Sequence, residues 1–521
     1  MDKILFKFIA LVFFISLVHS VSILRKREEC IKCASYVPEN PFDPSESTTL
    51  KSCLKYVTGK VLYRDDDEYY NNIKGCNCRT IYYPIAIVYA ANVADVQESV
   101  NCGNQLGISV VARSGGHSYE DYSLGGRNGV LVVDVANFDQ IVVDEESQTA
   151  VVGTGNKVGP IYYGLSQYGY LLPTGSCSNV GIGGQATGGG YGFVGRKYGM
   201  ASDNIVAAEV VLANGTFLSP VNSSSHSDLF FALRGAGNAG YGIITSLTIQ
   251  IYPVPEKIVY FHLSYDDANI QSVFDAYNQI GPSLDESFSL YLTLSPKTIW
   301  GNNSCASADK INLFSMGTYL GSLDEAVEGL SDYLNASSPI EPEFTETTWY
   351  EELLSFVGGG NLESLIDPEF DPEPFKVKSF FIDSPGLTEE AVTVLQTFIN
   401  TVKCRTLAMF ELIGGGVNNN FSPNETAFVH RNSLYLLQFE MKLRGVDEEV
   451  RKECLDDIRD FSVMFQEKYT SYYSYQNYID SELLDWEHRY YGQHFERLVE
   501  IKAKYDPNNL FNWNQSIPIS I

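Results

Sequence analysis

The chain has 521 residues, 44% apolar, 13% aromatic and 19% charged, the make-up of a folded globular protein too long for one core, so two or three domains are expected. With 36 Lys and Arg against 64 Asp and Glu, its net charge of −28 excludes nucleic acid and anionic membrane as natural partners and suits a neutral small-molecule substrate. There is no internal repeat and no low-complexity tract.

Residues 1–20, MDKILFKFIALVFFISLVHS, read as a secretory signal: a lysine-bearing leader, a short apolar run, and a small residue, Ser20. The run is short for a membrane span, and no second apolar stretch of spanning length follows. A secreted, monomeric glycoprotein is expected. Ten cysteines suit an oxidising compartment. Six of them cluster: Cys30, Cys33, Cys53, Cys76, Cys78 and Cys102. No partner motif completes a tetrahedral zinc set, so they are read as disulfide cysteines and no metal is expected. Acceptor sequons stand at Asn214, Asn222, Asn302, Asn335, Asn420, Asn424 and Asn514.

From residue 80 strand and helix signals alternate. IYYPIAIVYA is β-rich, DVQESVNCGNQLG is helix-like with a terminal glycine, and ISVVARSGGH is a strand entering a tight turn. NGVLVVDVANF and TAVVGTG are further strands, and residues 156–172 have helical spacing. DNIVAAEVVLANGTFLS reads as a hairpin through Asn-Gly. Near residue 254 PVPEKIVYFHLSY starts a segment of longer strands and helices, with the strand candidates SFSLYLTLS and NSLYLLQFEMKL and the helix candidates DEAVEGLSDYL and TEEAVTVLQTFINTV. The tail from SYYSYQNYID is aromatic and polar. The fold class is α+β: a cofactor domain, a substrate domain, and a tail returning to the first.

Two glycine-rich loops carry the chemistry. ARSGGHSYEDYSLGG (112–126) holds His117, and GSCSNVGIGGQATGGGYG (175–192) holds Cys177. Gly181-x-Gly183-x-x-Ala186 formally fits a dinucleotide fingerprint, but it follows Pro-Thr-Gly-Ser-Cys rather than a buried strand, so a Rossmann site is not expected. What the glycines permit is close backbone approach to a flat or charged ligand, with successive N–H groups around a pyrophosphate. One large cofactor held from both sides, with an imidazole and a thiol beside it, is the expectation. No HExxH or Gly-x-Ser-x-Gly elbow supports a hydrolase.

RSGGHSY, GSCSNVGIGGQATGGGYG, RKYGMASDN and the tail YYGQHFERLVEIKAKYDPNNLFNWNQSIP resemble the berberine bridge enzyme-like FAD-linked oxidases of the vanillyl-alcohol oxidase (p-cresol methylhydroxylase-type) superfamily. The resemblance implies a two-lobed FAD-binding domain of p-cresol methylhydroxylase type and a substrate domain with an antiparallel sheet covered by helices. It divides the chain into a signal (1–20), an FAD-binding domain (21–255, core 79–255), a substrate domain (256–465) and a C-terminal segment (466–521). It implies bicovalent FAD, with His117 on the flavin 8α-methyl and Cys177 on ring carbon 6. Further cofactor contacts carry over to Arg113, Ser114, Gly115, Gly116, Ser118, Gly175, Val180, Gly181, Gly184, Gly188, Asn204, Gly242, Ile244 and Asn477. Tyr475, in the Tyr-x-Asn motif, is the implied base. Tyr191, Tyr119 and Gln438 complete the implied catalytic set.

Plant relatives carry Lys two positions before Gln438, where this chain has Leu436. That departure points away from a plant-type phenolic alcohol and toward a sugar or oligosaccharide. Glu440, alternating with Gln438 on one strand face, is a candidate carboxylate for assisting the base. Val180 occupies a position associated with dioxygen access, which implies an oxidase releasing hydrogen peroxide. The alternatives are oxidative cyclisation or dehydrogenation of a secondary metabolite or aromatic alcohol, and an inactive binding glycoprotein on the same scaffold.

Overall fold

The computed structural model describes residues 44–296, 311–356, 359–368 and 372–521. The expected signal, Cys30, Cys33, Cys305 and the Asn302 sequon lie outside them.

The N-terminal lobe contains two main sheets. The first joins β1 (Lys60–Tyr63), β2 (Ala86–Tyr89), β3 (Val110–Arg113) and β4 (Leu131–Asp134) in the order β1-β2-β4-β3. The β2–β4 and β3–β4 pairs are parallel, and β4 is buried along its whole length, as parallel strands covered on both faces must be. The helix Val93–Leu106 crosses from β2 to β3. Asn92 caps its start by accepting the Asp95 N–H at 3.1 Å, and Gly107 ends it at a left-handed φ of 66°.

The second sheet is antiparallel: β5 (Ile141–Asp144), β6 (Thr149–Gly153), β8 (Ile205–Val211), β9 (Phe217–Val221) and β10 (Ile243–Gln250), in the order β5-β6-β10-β8-β9. The expected hairpin is β8–β9, turning at Gly215 with φ 78°. A short pair, β7 (Tyr170–Leu171) and β11 (Tyr252–Pro253), links this lobe to the next.

The second lobe is one seven-stranded antiparallel sheet: β12 (Ile258–Tyr265), β13 (Tyr291–Pro296), β14 (Ile311–Tyr319), β15 (Glu341–Thr347), β16 (Phe375–Ile382), β17 (Thr406–Leu412) and β18 (Tyr435–Lys442). Its order is β15-β12-β14-β13-β17-β18-β16. Strand alternation sorts its two faces. Leu292, Phe410, Leu437 and Phe439 pack against the helices Ile270–Gln279, Glu389–Thr401 and Glu448–Tyr469. Tyr291, Met409, Glu411, Gln438, Glu440 and Lys442 face the other way and line a cavity. This is the α+β architecture expected from sequence.

DEAVEGLSDYL is not one helix but two, Leu323–Gly329 and Ser331–Ser337. Gly329, the poorest helix former of the segment, sits at the break, where a Cβ would stand 2.8 Å from the Phe288 ring. The 22-residue helix Glu448–Tyr469 was not anticipated. Cys53 pairs with Cys102 and Cys404 with Cys454. Cys78 is also disulfide-bonded. Cys76 corrects the expectation for the cluster: it is a free, buried thiol. Its backbone is committed to the His117 loop, with its N–H donating to Gly116 O at 3.0 Å.

The tail folds back onto the first lobe. Val110 donates its N–H to Leu510 O at 3.1 Å, and Leu510 and Phe511 enter the core of the parallel sheet. The helix Phe495–Tyr505 buries Leu498, Val499 and Ile501 in the core of the five-stranded sheet. Among the described residues, no helix is long and apolar enough to cross a membrane.

Candidate active site

A cavity of about 700 Å³ lies where three parts meet: the two glycine-rich loops, tail residues 475–479, and the open face of the seven-stranded sheet. The loops touch glycine to glycine. A Cβ on Gly115 would fall 2.3 Å from the Gly181 N, and one on Gly181 would fall 2.2 Å from the Gly115 N. No side chain fits at that seam, which is why both loops need glycine there. Gly181-x-Gly183-x-x-Ala186 does open a helix, Ile182–Thr187, but no strand of a parallel βα unit runs into it. The Rossmann fingerprint is therefore formal only.

His117 and Cys177 both line this cavity, as do Ser114, Gly115, Gly116, Ser118, Gly175, Val180, Gly181, Gly184, Gly242, Ile244 and Asn477. Three expected cofactor residues do not. The Arg113 guanidinium turns into the core of the lobe, where it pairs with Asp134 and donates to Asn72 O at 2.6 Å. Asn204 is buried and donates its amide to Met200 O at 2.8 Å and Tyr198 O at 2.9 Å. Gly188 lies behind the wall, where a Cβ would stand 2.0 Å from Asn477 Oδ1, so its bareness admits the Asn477 amide.

FAD fits the residues present. Among the described residues, the hydroxyls of Tyr122 and Ser123 are buried without a hydrogen-bond partner; both residues line this cavity, and orphaned buried hydroxyls call for a polar ligand. Open space stands where Gly116 and Gly184 would carry a Cβ, leaving backbone exposed to a diphosphate. Burial pushes His117 down to about 4, with the Lys157 charge adding to it, so its imidazole is neutral at physiological pH. Burial raises the Cys177 thiol, whose sulfur opens onto the cavity.

The four expected catalytic residues meet in the cavity. Tyr475 Oη accepts from the Gly190 N–H at 2.7 Å and from Asn477 Nδ2 at 3.0 Å. Its ring packs edge-on against Phe381, Phe428 and Tyr478. Tyr191 donates to Leu412 O. Gln438 Nε2 donates to the Tyr119 hydroxyl at 3.2 Å. Burial pushes all three phenols above their ordinary value.

Two residues that sequence reasoning missed stand among them. Tyr478 stacks on Tyr119, centroids 5.6 Å apart at 11°, and donates its hydroxyl to Glu411 Oε1 at 2.7 Å. Glu411 is 3% exposed, and burial lifts it to about 7 against the partial opposition of that hydrogen bond. Glu440 lines the cavity too, but its carboxylate pairs with Lys442 at 2.7 Å. The carboxylate that accepts a hydrogen bond from a cavity tyrosine is Glu411, while Glu440 acts on Tyr119 through its charge, raising that phenol further. The signals in sequence are slight: a glutamate in the apolar strand TLAMFEL, and a second tyrosine three residues after the first.

The model of the FAD binding domain matches residues 84–219, and that described as berberine and berberine like matches residues 474–518. Berberine bridge enzyme-like 23 of Arabidopsis thaliana is 30% identical over 460 residues, 84% of each chain. Among solved structures, BBE-like 1 of Physcomitrella patens superposes with a TM-score of 0.84 at 33% identity, covering 91% of this chain and 99% of that one. A chitooligosaccharide oxidase superposes with a TM-score of 0.81 at 26% identity, covering 90% and 99%. Taken with the glycine loops, the orphaned hydroxyls and the returning tail, these matches place the chain in the berberine bridge enzyme-like family of FAD-linked oxidoreductases.

Proposed function

We propose that this protein is a secreted oxidase that takes hydride from an alcohol or hemiacetal carbon of a sugar or oligosaccharide and passes the electrons to dioxygen, releasing hydrogen peroxide. The observation that carries it is the Tyr478–Glu411 hydrogen bond at 2.7 Å inside the cavity. Bound FAD supplies the hydride acceptor. The protein's own task is the proton. As the C–H bond breaks, the substrate hydroxyl loses its proton to Tyr478 Oη, and the Tyr478 proton passes to Glu411. A carboxyl lifted to about 7 is matched to neutral pH as the final acceptor. Tyr475 is the expected base, and the two N–H bonds its oxygen accepts ease its ionisation against the cost of burial; Tyr478 is preferred here because its hydroxyl donates directly to a carboxylate, Glu411. The role of Tyr475 in this reading is to form the wall behind Tyr478.

His117 and Cys177 are assigned as the two flavin tethers, and Val180 as the residue beside the dioxygen path. Residues 21–255 hold the cofactor, 256–465 form the substrate wall and 466–521 bring the tyrosines. Secretion is supported by the disulfides and by sequons exposed at Asn214, Asn335, Asn420, Asn424 and Asn514. A solved neighbour that is a chitooligosaccharide oxidase, and another recorded as a xylooligosaccharide oxidase with xylobiose at 25% identity, support a carbohydrate substrate.

The second reading, oxidative cyclisation or dehydrogenation of an apolar metabolite, draws on the wall of Phe193, Tyr291, Met316 and Phe356. Peroxide release measured against mono- and oligosaccharides, aromatic alcohols and alkaloids decides between them. Turnover of sugars that collapses in Tyr478→Phe supports the proposal. Turnover confined to aromatic alcohols or alkaloids overturns it.

A further inference from the structure

Behind the stacked tyrosines lies a buried ion network that the reaction itself does not use. Lys376, on edge strand β16, is 1% exposed. Its Nζ stands 2.6 Å from Glu120 Oε1 and 2.6 Å from Asp480 Oδ1. Glu120 directly follows Tyr119, and Asp480 lies two residues beyond Tyr478. One ammonium is thus the shared node of the two chain segments whose rings stack in the cavity.

Its neighbours fix the node further. Glu120 also takes Arg79, Asp480 takes Lys378 at 2.8 Å, and Glu482 takes Lys378 at 2.9 Å and Arg459 at 2.6 Å. Each carboxylate meets at least two cations, so the network is closed. Buried ion pairs contribute little net stability, because desolvation offsets most of the attraction. What short charge-assisted bonds do supply is fixed geometry.

We propose that Lys376 is a positioning residue: by holding Glu120 and Asp480 together it keeps Tyr119 and Tyr478 in register, so that the Tyr478 hydroxyl meets Glu411. This rests on the reading of Tyr478 and Glu411 as the proton-accepting pair. A misplacement of about 1 Å at reacting groups can cost about a hundredfold in rate.

Two variants of the full-length flavoprotein test it. Lys376→Arg keeps the charge and displaces the node; the triple variant Lys376→Met, Glu120→Gln, Asp480→Asn keeps the shape and removes the charges. Each is compared with Arg459→Gln, which breaks only the outer arm. In whichever of the two folds and retains flavin, kcat is expected to fall at least about tenfold with KM within about twofold. Ultraviolet titration of the tyrosines should move, and Arg459→Gln should match the wild type in both. Wild-type kcat and wild-type tyrosine titration in a folded node variant overturn the proposal. So does failure of both node variants to fold, since the network would then serve stability alone. The titration needs no substrate, and the proton-transfer reading fails separately, if Tyr478→Phe retains full kcat.

Discussion

Replacing Glu411 by Gln should make the protein more stable and less active, with the stability gain tied to pH. The Glu411 carboxyl ordinarily ionises near 4.5, but burial holds it protonated to about 7 in the folded protein. Between these values the unfolded chain has lost a proton that the folded protein keeps. Folding stability therefore falls by about 1.4 kcal/mol per pH unit across the window, about 3 kcal/mol in all, and levels off above it. Gln carries no such term, and its amide oxygen still accepts the Tyr478 hydroxyl. The test is urea unfolding of both proteins at about pH 5.5 and about pH 8. The stability gap in favour of Glu411→Gln should widen by about 2 kcal/mol between them. On the proposed proton path the same substitution removes the final acceptor, so kcat should fall about a hundredfold and lose its rise through neutral pH. A gap that stays constant with pH would refute the buried, late-ionising carboxyl. A full kcat would remove Glu411 from the proton path.

Acid-precipitated wild-type protein should keep its yellow colour in the pellet, each of His117→Ala and Cys177→Ala should keep it through the remaining bond, and the double variant should release it. Gly115→Ala or Gly181→Ala forces the two loops apart at a 2.3 or 2.2 Å contact, and the visible-to-ultraviolet absorbance ratio of the purified protein should drop for lack of flavin. Asp203→Asn leaves the buried Arg431 guanidinium, now paired at 2.5 and 2.8 Å, without its counter-charge; chemical denaturation should show a loss of about 3–5 kcal/mol.

The cofactor loops were legible because glycine spacing and the lone His117 and Cys177 are local signals. The strand β18 was legible because its alternation of apolar and polar residues is the pattern of a sheet with one face in a core. What stayed hidden depends on partners distant in sequence. β16 carries Lys376 and Lys378, which disguise a buried strand until Glu120, Asp480 and Glu482 arrive from elsewhere. The helix Glu448–Tyr469 is so charged that its narrow buried stripe of Cys454, Ile458, Phe461 and Phe465 is easily passed over. Arg113 and Asn204 sit in family motifs yet serve the walls of the lobe, since a motif records neighbourhood and not the direction of each side chain. Glu411 looks like any strand glutamate; only the cross-strand neighbours and the returning tail bury it.

The tail's return to the first lobe has a consequence for how the molecule is made. Tyr119 and Tyr478 stack although the whole seven-stranded sheet lies between them in the chain, and Leu510 meets Val110 across a still longer span. Contacts between segments so far apart raise the contact order, which slows folding. The tail supplies Leu498, Val499 and Ile501 to one core of the first lobe and Leu510 and Phe511 to the other, so neither is complete before the end of the chain has been made. Because residues 475–479 also wall the cavity, the cavity is enclosed only once that same tail has been synthesised.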